Sequence, residues 1–184
     1  IYRGLTPTSF PTIATSDGLA ERLGADLIHF PTQNAYLTGL PNIYQPHDLQ
    51  HLHLPEFFDP EQLAWRKLAY PKFCDRADLV LVESSWTKRD IAENFGIGLE
   101  KIAVCTFPPA TGGYRAPNPD EIAAFRKRSP FQDFIFYPAQ TWPHKNHIRL
   151  LQALAILRDK FGLVVPLVCS GRTTAFVQEI EKQI

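Results

Sequence analysis

The segment DLVLVESSWTKRDIAENFG, residues 78–96, constrains the fold more than any other stretch of the chain. Asp78 is followed by four aliphatic residues, a continuous apolar run of the length expected for a strand buried on both faces. Ser84 and Ser85 then offer hydroxyls to the open N–H groups of a helix, and Gly96 supplies a left-handed position at which that helix can end after Phe95. A second apolar run, KIAVCTF at 101–107, reads as another strand. Strand, helix and strand at this spacing call for parallel pairing across a crossover, so the chain reads as α/β with parallel sheets flanked by helices.

The alternation extends both ways from that segment. Upstream, residues 1–12 are Pro- and Thr-rich and read as irregular, and 17–23 is a short helix stopped by Gly24. DLIHF at 26–30 and NIYQ at 42–45 are strands closed by Pro31 and Pro46, with a turn over 38–41 between them. Pro60 at a helix N-terminus opens a helix from Glu61 to about Asp75. Downstream, residues 108–119 hold four prolines and the pair Gly112-Gly113, which places a domain boundary there: an N-terminal domain over 1–112 and a C-terminal domain over 113–184. The second domain reads as a helix from about Asp120 to Arg128, a strand at 134–137 and a helix to Phe161 with Leu150, Leu154, Leu157 and Phe161 on one face. Gly162 ends that helix, a strand follows over 164–169, and a last helix starts at Thr174 or Ala175.

Composition removes several functional classes. Lys plus Arg, 19, balance Asp plus Glu, 19, so no whole-chain field draws the protein to nucleic acid or to an anionic membrane, and any basic site must be local. Three cysteines, with Cys105 and Cys169 inside apolar runs where thiols behave as small buried hydrophobes, point to a reducing, cytoplasmic setting. No run approaches the ~18–20 apolar residues that span a bilayer, and no basic-then-apolar leader opens the chain. The expectation is a soluble protein, with peripheral membrane contact left to regions outside this sequence. A chain without methionine that opens on Ile1 also reads as lacking N-terminal material, and its second domain reads as unfinished.

Three constellations could carry chemistry, each after a strand, where open α/β sheets bind ligands. In FIFYPAQTWPHKNHIR, residues 134–149, the bases His144, Lys145, His147 and Arg149 open a helix with no acid among them. A helix N-terminus carries partial positive charge and normally collects acids, as at Asp59-Pro60-Glu61 and Pro119-Asp120-Glu121. A bound anion would reconcile the basic turn with the dipole; a solvated basic face is the alternative. The second constellation is Ser170-Gly171-Arg172-Thr173, where Gly171 would let the backbone approach a phosphate and Arg172 clamp its oxygens, unless the glycine only makes a turn.

The third is His47-Asp48-Leu49-Gln50-His51-Leu52-His53. His47 and His51 would share a helical face, which opens a metal reading, although the spacing is not HExxH and no Glu stands where a general base would. A strand-end His bonding a ligand hydroxyl is the other reading, and a structural His-rich loop a third. No nucleophile elbow, P-loop or GxGxxG is present, and Ser84 fits an N-cap better than a nucleophile.

These segments resemble the retaining glycosyltransferases of family 4, whose GT-B fold sets two Rossmann-like domains about a cleft. IYQPHD is similar to the strand that ends in the family's active-site histidine, here His47, and DLVLVESSWTKRDI to the segment whose strand ends in Ser84. FIFYPAQTWPHKNHIRLLQALAIL resembles the opening of the donor domain, with Lys145 on the lysine that contacts the donor diphosphate, and VVPLVCSG the next donor strand, with Gly171 on the family's glycine. The resemblance covers nearly the whole chain and implies parts of two Rossmann-like domains in a GT-B-like arrangement.

It further implies transfer of a hexosyl unit, mannosyl among the candidates, from a GDP- or UDP-linked donor to a glycan or lipid-linked acceptor with retention, in polysaccharide biosynthesis. No cofactor and no metal are implied. The catalytic residue would be His47, with Asp48 and Ser84 near acceptor or sugar, and the donor would rest on Lys145, Asn146, Gly171, Arg172, Ser170 and Gln140. The family's Gly-Arg after the first donor strand is Pro138-Ala139 here, so Arg172 or Gln140 is expected to replace that arginine. The glycine-rich N-terminal loop and the late two-glutamate motif are absent. A metal-dependent hydrolase on HDLQHLH and a non-catalytic nucleotide- or sugar-binding module remain as rivals.

Overall fold

The computed structural model describes residues 11–108 and 112–184. The irregular stretch expected over 1–12 therefore falls largely outside the described residues, as does 109–111 of the linker expected over 108–119. By its contacts the chain divides into two compact units, Ile1–Pro109 and Ala110–Ile184. Parallel sheets flanked by helices make it α/β, the class read from the strand and helix pattern.

The first unit is a four-stranded parallel sheet whose spatial order follows the sequence: β1 (Ile28–Phe30), β2 (Asn42–Tyr44), β3 (Leu79–Val82) and β4 (Ile102–Val104). A short helix, α1 (Leu19–Arg22), precedes it; α2 (Gln50–His53) and α3 (Pro60–Arg76) make the crossover from β2 to β3, and α4 (Ser85–Phe95) that from β3 to β4. The Asp59 carboxylate accepts the Gln62 N–H at 2.8 Å and Pro60 takes the first helical position, fixing where α3 begins. Pro71 lies inside α3, where a proline costs about 3 kcal/mol in an isolated helix. The helix runs through it because Tyr70, Phe73 and Cys74 are buried on either side; Tyr70 and Phe73 lie 6.4 and 5.3 Å from Tyr44 of β2, and such rings contribute about 2 kcal/mol each. With Leu49, Val80, Val82, Ile91 and Ile102 these residues form the core.

The second unit is smaller. β5 (Ile135–Pro138) pairs in parallel with β6 (Leu167–Ser170), and α6 (His147–Phe161) is the crossover between them. Before them stands α5 (Pro119–Arg128), opened by a reciprocal cap in which Asn118 accepts the Glu121 N–H and Glu121 accepts the Asn118 N–H. After them comes α7 (Val177–Glu181), three residues later than the helix expected from Thr174.

Two strands cannot cover what three or four would. Phe161, expected on the apolar face of α6, is 70% exposed, and Phe136 of β5 is 54% exposed. Cys105 and Cys169, expected to be buried, are exposed, because Cys105 lies one residue past the edge strand β4 and Cys169 in the narrow second sheet. Cys74 is the buried thiol, its pKa pushed up to about 12 by burial.

Candidate functional site

The sheet register of the first unit assembles its polar site. β2 pairs with β3 so that Tyr44 faces Val80, an offset of 36 (80 − 44); continuing it past the strand ends puts His47 beside Glu83, 83 − 47 = 36. His47 Nδ1 lies 2.5 Å from Glu83 Oε1. The same oxygen accepts from Gln45 Nε2 at 3.3 Å, and Gln45 Oε1 lies 3.1 Å from His29 Nε2 in β1. Four polar side chains from three adjacent strands thus form one line, His29, Gln45, Glu83 and His47. Gln45 is buried, the Glu83 side chain is 19% exposed and the His47 side chain 32%, so the imidazole is the member solvent and ligands reach. The Phe107 ring packs 5.8 Å from that of His47.

Glu83 is the member of this line that the sequence pattern passes over. Its signal was a charged side chain directly after an aliphatic strand, hidden by the Ser-Ser cap beside it. Glu83 Oε2 is buried without a hydrogen-bond partner, and among the described residues its one ion-pair partner is His47.

The other residues of the motif part company. His47 precedes α2 rather than sharing a helical face with His51. His51 is fully buried, its ring 4.9 Å from Tyr70, and burial first, the Arg66 charge second, lower its pKa to about 4. His53 Nε2 is 2.8 Å from an oxygen of buried Asp90. The metal reading weighed for HDLQHLH thus finds no assembled constellation, and among the described residues no group of three or more His, Cys, Asp or Glu is placed to hold a metal ion. Asp48 accepts the Gln50 N–H at 3.0 Å and stands 3.8 Å from Arg66. Ser84 is the N-cap of α4: its Oγ accepts the Thr87 N–H at 3.1 Å and shares a hydrogen bond with Thr87 Oγ1 at 2.9 Å.

In the second unit the basic turn is built differently from the expectation. His144 and Lys145 lie in a separate 3-10 turn, Pro143–Lys145, and α6 begins only at His147. Asn146 joins them in the left-handed conformation, φ 59°, which Asn tolerates better than most residues, and its side chain makes no cap. His147 is not part of a cationic face: it is 2% exposed, its ring 5.0 Å from Tyr137, with both nitrogens unpartnered. It turns inward because the first residue of α6 sits over β5, where Tyr137 also donates its O–H to the Lys145 carbonyl at 2.6 Å. Lys145, Arg149 and Arg172 are exposed.

The loops after β5 and β6 clasp each other. Thr141 N–H donates to the Arg172 carbonyl at 3.2 Å, Thr174 N–H to Thr141 Oγ1 at 2.6 Å, and Thr174 Oγ1 to the Thr141 carbonyl at 2.7 Å. Gly171, after Ser170 at the end of β6, has φ +146°, and a Cβ there would stand 2.5 Å from the Ala139 carbonyl oxygen. The glycine thus answers to a neighbouring backbone, whatever ligand the loop also meets. Gln140 Oε1 accepts the Trp142 indole N–H at 2.9 Å.

No helix among the described residues is long and apolar enough to cross a membrane. The sequence model of a family described as Glycosyltransferase Family 4 matches residues 3–106, more than half of the chain and all of the line from His29 to Glu83. No curated protein matches the chain.

Proposed function

The chain belongs to glycosyltransferase family 4, and from that premise we propose that it transfers a hexosyl unit from a GDP- or UDP-linked donor to a hydroxyl of a glycan or lipid-linked acceptor, with retention. The observation that carries the reading is the polar line at the carboxyl ends of β2 and β3, inside the matched segment, with the His47 ring open to a ligand.

Roles follow from the chemistry each side chain offers. His47 contacts the sugar or the acceptor hydroxyl, and Asp48, 45% exposed, offers an oxygen beside it. Ser84 spends its hydroxyl on the cap of α4, so its part in the site is chiefly to fix the backbone next to Glu83. On the donor side, Lys145 and Arg172 supply positive charge to the diphosphate, and α6 adds the dipole of its N-terminus. As the leaving phosphate gains charge, these groups stabilise it more than they stabilise the bound donor, which is what accelerates transfer. Asn146, Ser170 and Gly171 shape the backbone there; with its carbonyl on Trp142, Gln140 is the weaker stand-in for the missing arginine, and Arg172 the stronger. No cofactor is needed when lysine, arginine and helix provide this charge.

A panel of UDP- and GDP-hexoses, with hydrolysis or transfer as readout, tests the reading. Lys145→Ala in the full protein is expected to weaken donor and nucleoside diphosphate binding together, by roughly 10- to 100-fold for a charge-assisted contact. Unchanged binding of both would overturn the donor-side assignment.

A further inference from the structure

Resting on the glycosyltransferase reading, we propose that Trp86 and His53 form a saccharide-binding subsite that seats a neutral sugar ring of the acceptor beside the reacting centre. α4 builds the site from one row of side chains. Trp86, Asp90 and Asn94 stand four residues apart, so they follow one another along a single face of the helix. Asp90 is buried, and its two oxygens lie 2.9 and 2.8 Å from Nε2 of His53, the last residue of α2. Asn94 Nδ2 donates to Asp90 Oδ1 at 2.9 Å and to the Asp90 carbonyl at 2.8 Å, which holds the carboxylate in place.

A carboxylate only accepts hydrogen bonds, so His53 Nε2 carries a proton and the orientation of the ring is fixed. The other nitrogen, Nδ1, has no hydrogen-bond partner among the described residues, and the side chain is 44% exposed. Trp86 flanks it: the two ring centroids are 5.3 Å apart, the planes are inclined at 56°, and Trp86 is 55% exposed. An exposed tryptophan alone needs no explanation. Beside a polar ring locked by a buried carboxylate it becomes a large apolar face with a positioned hydrogen-bonding atom at its edge.

That pairing matches the chemistry of a pyranose, whose C–H face is apolar and whose rim carries hydroxyls. Ligand sites combine mainly apolar walls with a few placed polar groups. A hydroxyl both donates and accepts, so it satisfies His53 Nδ1 whether or not that nitrogen carries a proton. Charge argues against a phosphate here. No guanidinium or ammonium among the described residues stands over the indole, and the Lys88 ammonium is engaged by the Ile102 carbonyl at 2.6 Å. The place in the fold suits an acceptor: Trp86 is three residues beyond Glu83, at most about 11 Å along the backbone, on the same carboxyl side of the sheet as His47. The subsite takes no part in bond making; it holds the acceptor.

The test uses the full chain with methyl α-mannopyranoside, methyl β-glucopyranoside, mannobiose, cellobiose and lactose as probes, each up to about 50 mM, well above a millimolar Kd. Indole 15N–1H spectra report the site, with the Trp86 signal assigned by its loss in Trp86→Phe. At least one saccharide is expected to move that signal saturably while the Trp65 signal stays in place. Trp86→Ala, at an exposed position, should keep the fold by circular dichroism and weaken binding, read by saturation transfer to the saccharide, by roughly tenfold or more, the loss typical of an aromatic anchor. His53→Gln, which still donates to Asp90, should weaken it as well. No movement of the Trp86 signal with any probe, or equal affinity in Trp86→Ala, would overturn the proposal. Movement with UDP or GDP instead would make this a nucleotide-binding face and overturn it too. Failure of every UDP- and GDP-hexose to bind or turn over would sink the parent reading, with the Trp86 spectra still deciding the subsite.

Discussion

Acid sensitivity of the first unit should trace to one ring. His51 is fully buried with both nitrogens unpartnered, its ring 4.9 Å from Tyr70 and 6.5 Å from Phe58, while the Arg66 guanidinium lies 4.5 Å over Phe58 and 5.4 Å over Tyr70. Burial, then Arg66, hold its pKa at about 4 against an ordinary 6.5. The sign follows from who binds the proton. Above pH 6.5 neither folded nor unfolded chain is protonated at His51 and the term is absent; between 6.5 and 4 the unfolded chain takes the proton and the folded one refuses it. Stability therefore falls through that window, by at most about 1.4 kcal/mol per pH unit and by a ceiling of about 3 kcal/mol in all, levelling off below pH 4. For a unit of this size that is on the order of 10 °C in Tm. Urea unfolding followed by far-UV circular dichroism at pH 7.5, 6, 5 and 4, on the parent chain and on His51→Phe, isolates the contribution, because the remaining acid-linked groups are common to both. The Phe variant should be nearly as stable at pH 7.5 and should lose much less on acidification, with His51→Leu as control for the added volume. Parallel curves for parent and both variants would refute the reasoning.

Three further outcomes are expected. Ser84→Ala removes the cap of α4 and should cost about 1 kcal/mol, recovered by Ser84→Asp, whereas Ser85→Ala stays within about 0.5 kcal/mol; equal effects in denaturant melts would contradict the capping geometry. Gly171→Ala forces a side chain 2.5 Å from the Ala139 carbonyl and should loosen the two-loop clasp by about 1–3 kcal/mol, read as faster amide exchange at Thr141 and Thr174. A thiol reagent should modify Cys105 and Cys169 in the native protein and reach Cys74 only on unfolding, with the count taken by mass spectrometry.

What could be read from the sequence differs between fold and site for a physical reason. Strands and helices are local: aliphatic runs, Ser84 before α4, Gly96 after it and Pro60 at the head of α3 each act over a few residues, so the alternation and the parallel pairing were legible. Strand lengths were not, since pairing ends where a neighbour ends, which is why 101–107 contributes only Ile102–Val104. His47 was legible by its place after a strand, but its partner depends on a register between segments 36 residues apart. The fates of His51, for which a metal reading was only one of three alternatives, and of His147, read as part of a basic turn, were hidden for a related reason. A single sequence shows that a residue can carry charge; only packing shows whether it points to water or into an aromatic pocket.

The constant offset between β2 and β3 makes the His47–Glu83 couple a property of the sheet rather than of the crossover joining its members. The whole stretch carrying α2 and α3 could lengthen, shorten or be exchanged for another helix without parting the two side chains, so long as Tyr44 still lies beside Val80. A single residue inserted between Tyr44 and His47, or between Val80 and Glu83, would part them while sparing the core. The couple is thus portable between scaffolds, and indels rather than substitutions are the changes to which it is most exposed.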